Sequence, residues 1–379
     1  MSVGWGTMND STTRGTAIVV GGSLAGLLST IALSYAGFTV TVLERTRRQG
    51  IEGAMLRVTP SVTPQITRPD GSGTRAPSLR TIASGGHLTS VEGWETIHGR
   101  LRDAASSDAR VTVRDGVGVV AADQDADHAW VDLASGDRVF ADLVIGADGY
   151  RSVVRRVVAP ERPDALYAGY TLWVGRIAES DLPRQMWLPR GDNGVMEYGD
   201  NILFAHALAG PDGSMSPGRR ELVYAIYDAR HNADLRRLGV IQGPVVQHSL
   251  RGRDIPDGLL AQIIDDLDEW PRPWRLVIGE AVRRRQITGT PTAEYVPLRL
   301  ASGRIALVGN AAHVPTPMTG SGFDASVADA EALMTAVALA EDPADVPDAL
   351  LTYEADRLHS AQRLVESGQS FSRSFARAS

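Results

Sequence analysis

Residues 16–44 read TAIVVGGSLAGLLSTIALSYAGFTVTVLE, and no charged residue precedes Glu44 in this stretch. The opening TAIVV is a continuous apolar run rich in β-branched residues, which is typical of a strand buried on both faces of a parallel sheet. SLAGLLSTIALSYAG has helical spacing and ends at Gly37, a residue type favoured just beyond a helix C-terminus. FTVTVLE then indicates a second strand. The stretch therefore predicts a β-α-β unit.

The turn between the first strand and the helix is a variant of the dinucleotide-binding pattern G-x-G-x-x-G. Gly21 and Gly26 occupy the first and third glycine positions, and Ser23 occupies the second with a small side chain. Such a turn lets a pyrophosphate approach the N-terminus of the helix. Glu44 follows at nearly the spacing of a carboxylate that bonds both hydroxyls of a ribose. We predict a nucleotide site that suits NAD or FAD; the alternative is a glycine-rich turn of another parallel sheet.

A second interpretation of the same apolar stretch is a membrane span or a signal peptide. GGSLAG interrupts the stretch, and no small-residue cleavage pattern follows it. We therefore expect buried structure of a soluble protein, with the cytoplasm as its location.

Composition excludes several classes of function. The net charge of -7 argues against a nucleic-acid-binding surface and gives no attraction to an anionic membrane. The chain has no Cys, which excludes disulfides, a thiolate nucleophile and a cysteinyl link to a flavin. It also has no Lys, which excludes Schiff-base chemistry and the lysine of a phosphate-binding loop. No His-rich metal spacing is present, and we predict no metal.

The rest of the chain alternates between two kinds of pattern. Residues 1–15 are rich in Ser, Thr and Gly and are predicted to be a disordered arm. Residues 67–87 carry many turn formers and are predicted to be a loop, and 110–149 predict a β-meander. Alternating runs over 169–228 predict an antiparallel sheet, and a buried strand returns within 304–310.

Two further motifs follow the first one. DLVIGADGYRSVVRR begins at Asp142 and places Asp148-Gly149 between a strand and a helix, with Ser152 and Arg155 downstream. The later run GNAAHVPTPMTGSGFD covers 309–324 and combines prolines and glycines before a helix. With GGSLAG, these motifs resemble the flavoprotein aromatic hydroxylases, the single-component FAD-dependent monooxygenases. The resemblance extends over about residues 16–365, and YAGYTLWVG and HSLRGRDIPDGLL are most similar to dihydroxypyridine hydroxylase-type members.

The resemblance implies an α/β chain with the para-hydroxybenzoate hydroxylase-like fold. A Rossmann-type FAD-binding domain would comprise 16–165 and 276–379 and end in a C-terminal helix. A substrate-binding antiparallel β-sheet domain, 166–275, would be inserted into it. FAD would be bound non-covalently, and GAMLRVTP at Gly53 resembles the segment that runs beneath the flavin. The residues implied to contact FAD are Gly21, Gly22, Ser23, Ala25, Gly26, Glu44, Arg45, Arg57, Asp148, Asn310, Pro317, Gly320, Ser321, Gly322, Phe323 and Asp324.

The implied reaction uses NAD(P)H as a transient co-substrate and O2. A flavin C4a-hydroperoxide would oxygenate a small electron-rich aromatic or N-heteroaromatic compound that is phenol-, pyridine- or indole-like. The alternatives are a flavin-dependent oxidase or reductase on the same fold, and a non-catalytic flavin- or ligand-binding relative. No nucleic-acid or membrane partner is expected, and the oligomeric state is left open.

Substrate contacts are sought on the predicted antiparallel sheet, where a base that deprotonates the substrate would assist oxygenation. Side chains two apart share a face of a strand, which pairs Met196 with Tyr198 and Phe204 with His206. The candidate substrate residues are Arg176, Trp187, Met196, Tyr198, His206 and Tyr227, and packing is the alternative role for each. The catalytic candidates are Tyr198, His206, Pro317 and Asp324.

Three positions depart from the family pattern. Asn310 replaces the family aspartate, Asp324 replaces the family asparagine, and Trp94 occupies the place of an early arginine. His313 falls on the family histidine, for which a structural role is the main interpretation. We hypothesise that Asp324 places negative charge near the reduced flavin, which would lower the reduction potential of the flavin or recruit a proton.

Overall fold

The computed structural model describes residues 13–46, 55–58, 78–85, 90–189, 194–198 and 201–378. The predicted arm therefore falls almost entirely outside the described residues, as does most of the predicted loop over 67–87. Among the described helices, none is both long enough and apolar enough to cross a membrane.

The elements are numbered in chain order. The strands are β1 (Thr16–Val20), β2 (Thr39–Glu44), β3 (Met55–Val58), β4 (Ser90–Gly93), β5 (Val111–Asp115), β6 (Val119–Gln124), β7 (Ala129–Leu133), β8 (Arg138–Ala141), β9 (Leu143–Gly146), β10 (Leu166–Ala178), β11 (Gly194–Tyr198), β12 (Asn201–Leu208), β13 (Glu221–Asp228), β14 (Ile241–Gln242), β15 (Val245–Val246), β16 (Leu250–Arg251), β17 (Ile287–Glu294), β18 (Ala301–Ser302) and β19 (Ile305–Leu307). The α-helices are α1 (Leu24–Tyr35), α2 (Leu79–Ser84), α3 (Trp94–Ser106), α4 (Arg155–Val158), α5 (Asn232–Arg237), α6 (Asp257–Asp266), α7 (Trp274–Arg283), α8 (Gly322–Ala338) and α9 (Val346–Ala378).

The β-α-β unit predicted from residues 16–44 is present as β1, α1 and β2. Within the described residues it lies in a six-stranded sheet with the order β18-β19-β9-β1-β2-β5, in which the short β18 alone runs antiparallel to its neighbour. The apolar β1 is almost completely buried, because α1 packs against the sheet and residues of β6, β7 and β8 lie in the same core cluster as β1. The sheet places the ends of β1, β9 and β19 side by side, and the loops that follow these strands carry all three motifs.

The predicted β-meander is right in one part and wrong in another. β6, β7 and β8 form a three-stranded antiparallel sheet, as expected. β5 and β9 instead pair in parallel with β2 and β1 and belong to the large sheet. Alternation along one strand identifies the strand, whereas its partner depends on contacts with distant segments.

The second large sheet is antiparallel and has eight strands in the described residues. Its order is β11-β12-β13-β10-β15-β14, and β17 joins β10 to β16. β17 (Ile287–Glu294) lies beyond position 275, where the predicted inserted domain ends.

Alternation gives this second sheet two different faces. The outer face bears Trp173, Tyr224 and Ile226 and packs with residues of α6 and α7. The inner face bears Leu172 and Tyr227 and packs with residues of α9. The two faces separate a structural core from a surface that meets the loop of the third motif.

A short helix contradicts the predicted loop over 67–87. α2 begins after Ser78, whose hydroxyl accepts a hydrogen bond from the Thr81 N–H at 3.2 Å. It ends at Gly85, which has φ of 62°. The turn formers in this stretch therefore include both caps of a helix, and Leu79 anchors that helix to α1 and α8.

Candidate functional site

The first motif folds into a tight turn between β1 and α1. Gly21 has φ of 106°, and a Cβ on Gly26 would lie 1.9 Å from the Gly21 carbonyl oxygen. Only glycine at position 26 lets α1 approach the end of β1 so closely. Ser23 precedes the helix and its side chain makes no capping bond within the described residues, so the first-turn N–H groups of α1 remain available to an anion.

Glu44 lies at the end of β2, beside this turn. Its carboxylate accepts hydrogen bonds from the N–H groups of Gly22 at 2.8 Å and Thr46 at 2.7 Å. Each carboxylate oxygen can accept a further hydrogen bond, for example from a ribose hydroxyl. Arg45 is exposed next to it. Ala25, in the first turn of α1, packs against Gly309 of the third motif.

Asp148 of the second motif lies across the turn from Gly21. Its Oδ2 accepts a hydrogen bond from the Val153 N–H at 2.7 Å. Its Oδ1 is buried and has no hydrogen-bond partner among the described residues. Burial raises the pKa of Asp148, although hydrogen bonds from Ser152 and the backbone oppose this rise. An unpaired buried oxygen at this place indicates that a ligand hydroxyl or a water completes the site.

Arg155 connects the second and third motifs and is completely buried. Its guanidinium donates hydrogen bonds to the carbonyl oxygens of Pro163 at 2.8 Å and Ala311 at 3.0 Å, and it lies 4.1 Å from the ring centre of Tyr295. The Ser152 hydroxyl accepts a hydrogen bond from the Arg155 N–H at 2.9 Å. The downstream Ser and Arg of the motif therefore hold two loops together.

The third motif begins with a charged network that is buried in the chain. We call residues 309–322, which connect β19 to α8, the late loop. Asp329 of α8 accepts hydrogen bonds from the Gly309 N–H at 2.9 Å and from Arg357 Nε at 3.0 Å, and it contacts His313 Nε2 at 2.8 Å. His313 and Asp329 are both fully buried, in agreement with a structural role for His313.

The pKa of Asp329 depends on two opposing effects. Burial alone raises this pKa, because a carboxylate loses its hydration. The charges and hydrogen bonds of His313 and Arg357, with the Gly309 N–H, outweigh burial and hold the pKa of Asp329 below its usual range. The late loop is therefore anchored to a carboxylate on α8.

The remaining predicted FAD contacts of the late loop lie at its accessible side. Asn310 and Pro317 are exposed, and Gly320 adopts a left-handed conformation with φ of 61° in open space. The Ser321 hydroxyl donates a hydrogen bond to the Thr319 carbonyl at 3.0 Å. α8 begins at Gly322, as predicted from the sequence.

The next two residues point away from the loop. The Phe323 side chain is buried in a cluster with residues of α1, α2 and α3. Asp324 accepts a hydrogen bond from Arg80 Nη1, which makes an ion pair between α8 and α2. Sequence reasoning missed Arg80 because position 80 fell in a stretch that was interpreted as loop.

The predicted substrate residues divide between the two faces of the second sheet. Tyr227, His206 and Arg176 lie on the inner face by alternation from Leu172 and Phe204. Arg176 Nη1 is 2.5 Å from Glu95 Oε2, which joins this face to α3.

The other predicted substrate residues lie elsewhere. Trp187 and Met196 pack with the outer-face cluster, and Trp187 covers Gly218. The Tyr198 and Arg57 side chains lie outside the described residues, as do Gly53 and the residue after it. Alternation along a strand shows which side chains share a face of that strand. It does not reveal which face of the sheet lies toward the other sheet, so residues of both faces were predicted to contact the substrate.

An aromatic cluster on the inner face was not predicted. Tyr170 and Tyr227 stack with ring centres 5.6 Å apart, and Phe371 and Phe375 of α9 pack against them. Met318 of the late loop joins the same cluster, and the Tyr170 hydroxyl bonds Thr316. The sequence signal was the spacing of the two phenylalanines by one helical turn, but their partners are far away in the chain.

Small side chains form a row next to this cluster. The sheet register places Val174 beside Ala225 and Thr288, and Ala225 beside Phe204. All four side chains are half-buried, whereas Tyr227 and Leu172 in the adjacent row are buried. We call Val174, Ala225 and Thr288 the floor, because larger side chains stand beside them. Val174, Ala225 and Met318 of the late loop pack against the same aromatic cluster.

These features fit a bound FAD. The uncapped N-terminus of α1 and its glycine turn suit the pyrophosphate, and Glu44 suits the ribose. The unpaired Oδ1 of Asp148 is a buried acceptor beside the same turn.

Comparison with known proteins agrees with this geometry. Residues 279–368 match the family of FAD binding domains. Aurachin C monooxygenase/isomerase of Stigmatella aurantiaca is 27% identical over 92% of this chain and 87% of that protein. The structure of 2,6-dihydroxypyridine-3-hydroxylase from Arthrobacter nicotinovorans has a TM-score of 0.72 at 21% identity and covers 97% of this chain and 94% of that one. Klebsiella pneumoniae HpxO complexed with FAD and uric acid has a TM-score of 0.66 at 22% identity and covers 95% and 88%.

The predicted resemblance and the α/β fold class are confirmed by these comparisons, and the match over residues 279–368 supports FAD as the cofactor. The solved structures establish the fold alone at this level of identity.

Proposed function

We propose that this chain, an FAD-dependent monooxygenase by its relatives, uses NAD(P)H and O2 to oxygenate a small planar aromatic or N-heteroaromatic compound. The observation that carries the proposal is the floor, a row of half-buried small side chains next to the aromatic cluster that Met318 of the late loop joins. The named relatives include a urate hydroxylase and a dihydroxypyridine monooxygenase, whose substrates are planar heterocycles.

FAD would be held by the three motifs. Gly21 to Ser23 and the N-terminus of α1 would bind the pyrophosphate, and Glu44 would bind the adenosine ribose. Asp148 and Asn310 would face the ribityl chain. Pro317 would lie against the flavin ring, and the backbone of Gly320 to Gly322 would meet its pyrimidine edge.

Bound FAD would supply the redox chemistry, in which NAD(P)H and a proton reduce one oxygen atom of O2 to water while the other replaces a ring hydrogen with hydroxyl. The N-terminus of α8 would stabilise negative charge on the reduced ring by about 0.3–1 kcal/mol. The aromatic cluster would exclude water on the α9 side of the substrate.

His206 is the proposed group that accepts a proton from the substrate. It is half-buried on the inner face and lies two residues from Phe204, beside the floor. Deprotonation of a ring hydroxyl or N–H makes the ring a better nucleophile. Asp324 is not proposed for this role because Arg80 bonds its carboxylate.

Substrate binding on the floor is tested by changing its depth. In Ala225→Leu the added side chain occupies the floor, so we expect NAD(P)H oxidation stimulated by aromatic compounds to fall at least tenfold. Flavin absorbance and unstimulated oxidation should persist, because FAD is bound elsewhere. Ala225→Gly deepens the floor and should shift preference toward bulkier rings. Ala121→Leu makes the same change at an exposed strand position and should have no effect.

The reaction itself is tested with labelled oxygen. Incorporation of one ¹⁸O atom from ¹⁸O2 into an aromatic product supports the proposal. Hydrogen peroxide as the only oxygen product, for every aromatic compound screened, would identify an oxidase instead. Purified protein that takes up no FAD would refute the whole proposal.

A further inference from the structure

Arg80 and Asp324 meet where the late loop becomes α8. Asp324 is the third residue of this helix, and its Oδ1 accepts a hydrogen bond from Arg80 Nη1. The side-chain exposures are 13% for Arg80 and 36% for Asp324, so solvent screens the pair only in part. The proposed flavin-binding end of α8 therefore carries a carboxylate that is paired with an arginine from another helix.

Arg80 is held in place by the helix that carries it. Leu79 and Ala83 of α2 are buried in the same cluster as Phe323 and Val327 of α8. Phe323 directly precedes Asp324, so this contact fixes α2 beside the first turn of α8. The ion pair and the apolar contact together attach α2 to that turn.

A second carboxylate of α8 also faces Arg80. Glu331 follows Asp324 by seven residues, which places both on one face of the helix. Burial raises the pKa of Glu331, and the positive charges of Arg80 and Arg357 oppose that rise. Arg80 therefore lies in the field of two acidic side chains, and its charge offsets negative charge along this face.

The charge of Asp324 matters because of where α8 begins. The N-terminus of a helix carries partial positive charge, which stabilises an anion beyond it. A free carboxylate in the first turn would oppose this effect toward a reduced flavin, which is more negative than the oxidised form. An arginine that pairs with the carboxylate restores the effect.

We propose that Arg80 is a positioning residue for the flavin: it cancels the charge of Asp324 and holds the first turn of α8 against α2. The inference rests on the proposed FAD site. It replaces the hypothesis that the charge of Asp324 acts directly on the flavin. Arg80 sets the reduction potential of the bound flavin through Asp324, without contact with the flavin.

The test is the midpoint potential of FAD bound to purified variants. Arg80→Gln removes the arginine charge that faces Asp324 and should weaken binding of reduced relative to oxidised FAD about tenfold, a fall of about 30 mV for a two-electron couple. Asp324→Asn removes the negative charge from the first turn of α8 and should raise the potential. The double variant should have the potential of the unchanged protein. Arg80→Lys keeps a positive charge at position 80, so its potential should lie close to that of the unchanged protein.

A matched control is available in the same domain. Arg102 Nη2 bonds Asp115 Oδ2 at 2.6 Å, and the side-chain exposures are 12% and 28%. Arg102→Gln should leave the flavin potential unchanged. Potentials that shift in the same direction in Arg80→Gln and Asp324→Asn would indicate a merely structural role and overturn the proposal. An Arg80→Gln shift no larger than the Arg102→Gln shift would also overturn it.

Two readouts separate this inference from the proposed function. FAD uptake without substrate-stimulated oxygenation refutes the proposed function, while the potentials still decide the role of Arg80. If Arg80→Gln does not fold, Asp324→Asn carries the test, and an unchanged or lower potential in that variant overturns the proposal. No FAD uptake by the unchanged protein refutes both.

Discussion

Replacement of Asp329 by asparagine tests whether the late loop depends on a buried charge. The carboxylate accepts two hydrogen bonds, from the Gly309 N–H and Arg357 Nε, and contacts His313 Nε2. Asparagine offers one oxygen and one NH2 group. In either orientation of the amide, its NH2 group faces the N–H of Gly309 or that of Arg357. One buried donor therefore loses its acceptor.

The expected cost follows from burial of the partners. Asp329 is completely buried, and the Arg357 side chain is 12% exposed. Breaking such a buried pair on one side costs about 3–5 kcal/mol, because it leaves a charge without compensation. The matched control is Asp132→Asn, which breaks a pair with Arg138 at side-chain exposures of 33% and 47%. An exposed pair contributes about 0–1 kcal/mol.

The assay is urea unfolding of the FAD-free protein, followed by titration with FAD. Asp329→Asn should lower the free energy of unfolding and also weaken FAD binding, because Gly309 begins the loop that we propose contacts the cofactor. The folded-state pKa of Asp329 is lowered, so its contribution is present above about pH 4 and is lost as the pH falls through that pKa. The difference in the free energy of unfolding between Asp329→Asn and the unchanged protein should be constant from pH 8 to about pH 5.

Two results would refute this reasoning. One is a loss of stability no larger than that of Asp132→Asn. The other is a loss of stability with unchanged FAD affinity, which would show that the network supports the fold without positioning the loop. Arg357→Met combined with Asp329→Asn should recover part of the loss, because the uncompensated arginine is removed with its partner.

Two further predictions concern the nucleotide turn and the outer face of the second sheet. Gly26→Ala would place a Cβ 1.9 Å from the Gly21 carbonyl oxygen and should abolish FAD uptake, whereas Gly258→Ala, where a Cβ meets open space, should leave uptake unchanged in an absorbance assay. His231 Nδ1 lies 2.5 Å from Asp228 Oδ2. Burial alone would lower the pKa of His231. The hydrogen bond to Asp228 and the charges of nearby carboxylates outweigh burial and raise this pKa. The stability that His231 provides is therefore present below about pH 6.5 and is lost as the pH rises through the raised pKa, so His231→Gln should cost more in urea unfolding at pH 6 than at pH 9.

The parts of the fold that were predictable are those with a local signal. Residues 16–44 contain a strand, a glycine turn, a helix and a second strand in one continuous pattern, and the structure has all of them. The start of α8 at Gly322 was likewise evident from the change of pattern after the prolines and glycines. In these segments the residue types that determine the local conformation are adjacent in the sequence.

The parts that were missed depend on contacts between distant segments. Arg80 and Asp324 are 244 residues apart in the chain, and nothing near either residue identifies the other. The same holds for Tyr170 and Phe375, which meet only because α9 crosses the inner face. β5 was assigned to the wrong sheet for the same reason.

α8 shows how such distant pairs determine the properties of the proposed cofactor site. Its acidic residues Asp324, Asp329 and Glu331 lie on a helix whose N-terminus is needed as a source of positive potential. Arg80 from α2 bonds the first of them, and Arg357 from α9 bonds the second. On the proposed role of Arg80, aspartate at position 324 does not oppose the N-terminus of α8, because α2 supplies a cation there. A relative with Asn at position 324 has no carboxylate there. An arginine at the position of Arg80 would then raise the reduction potential of its flavin, as Asp324→Asn is expected to do in this chain.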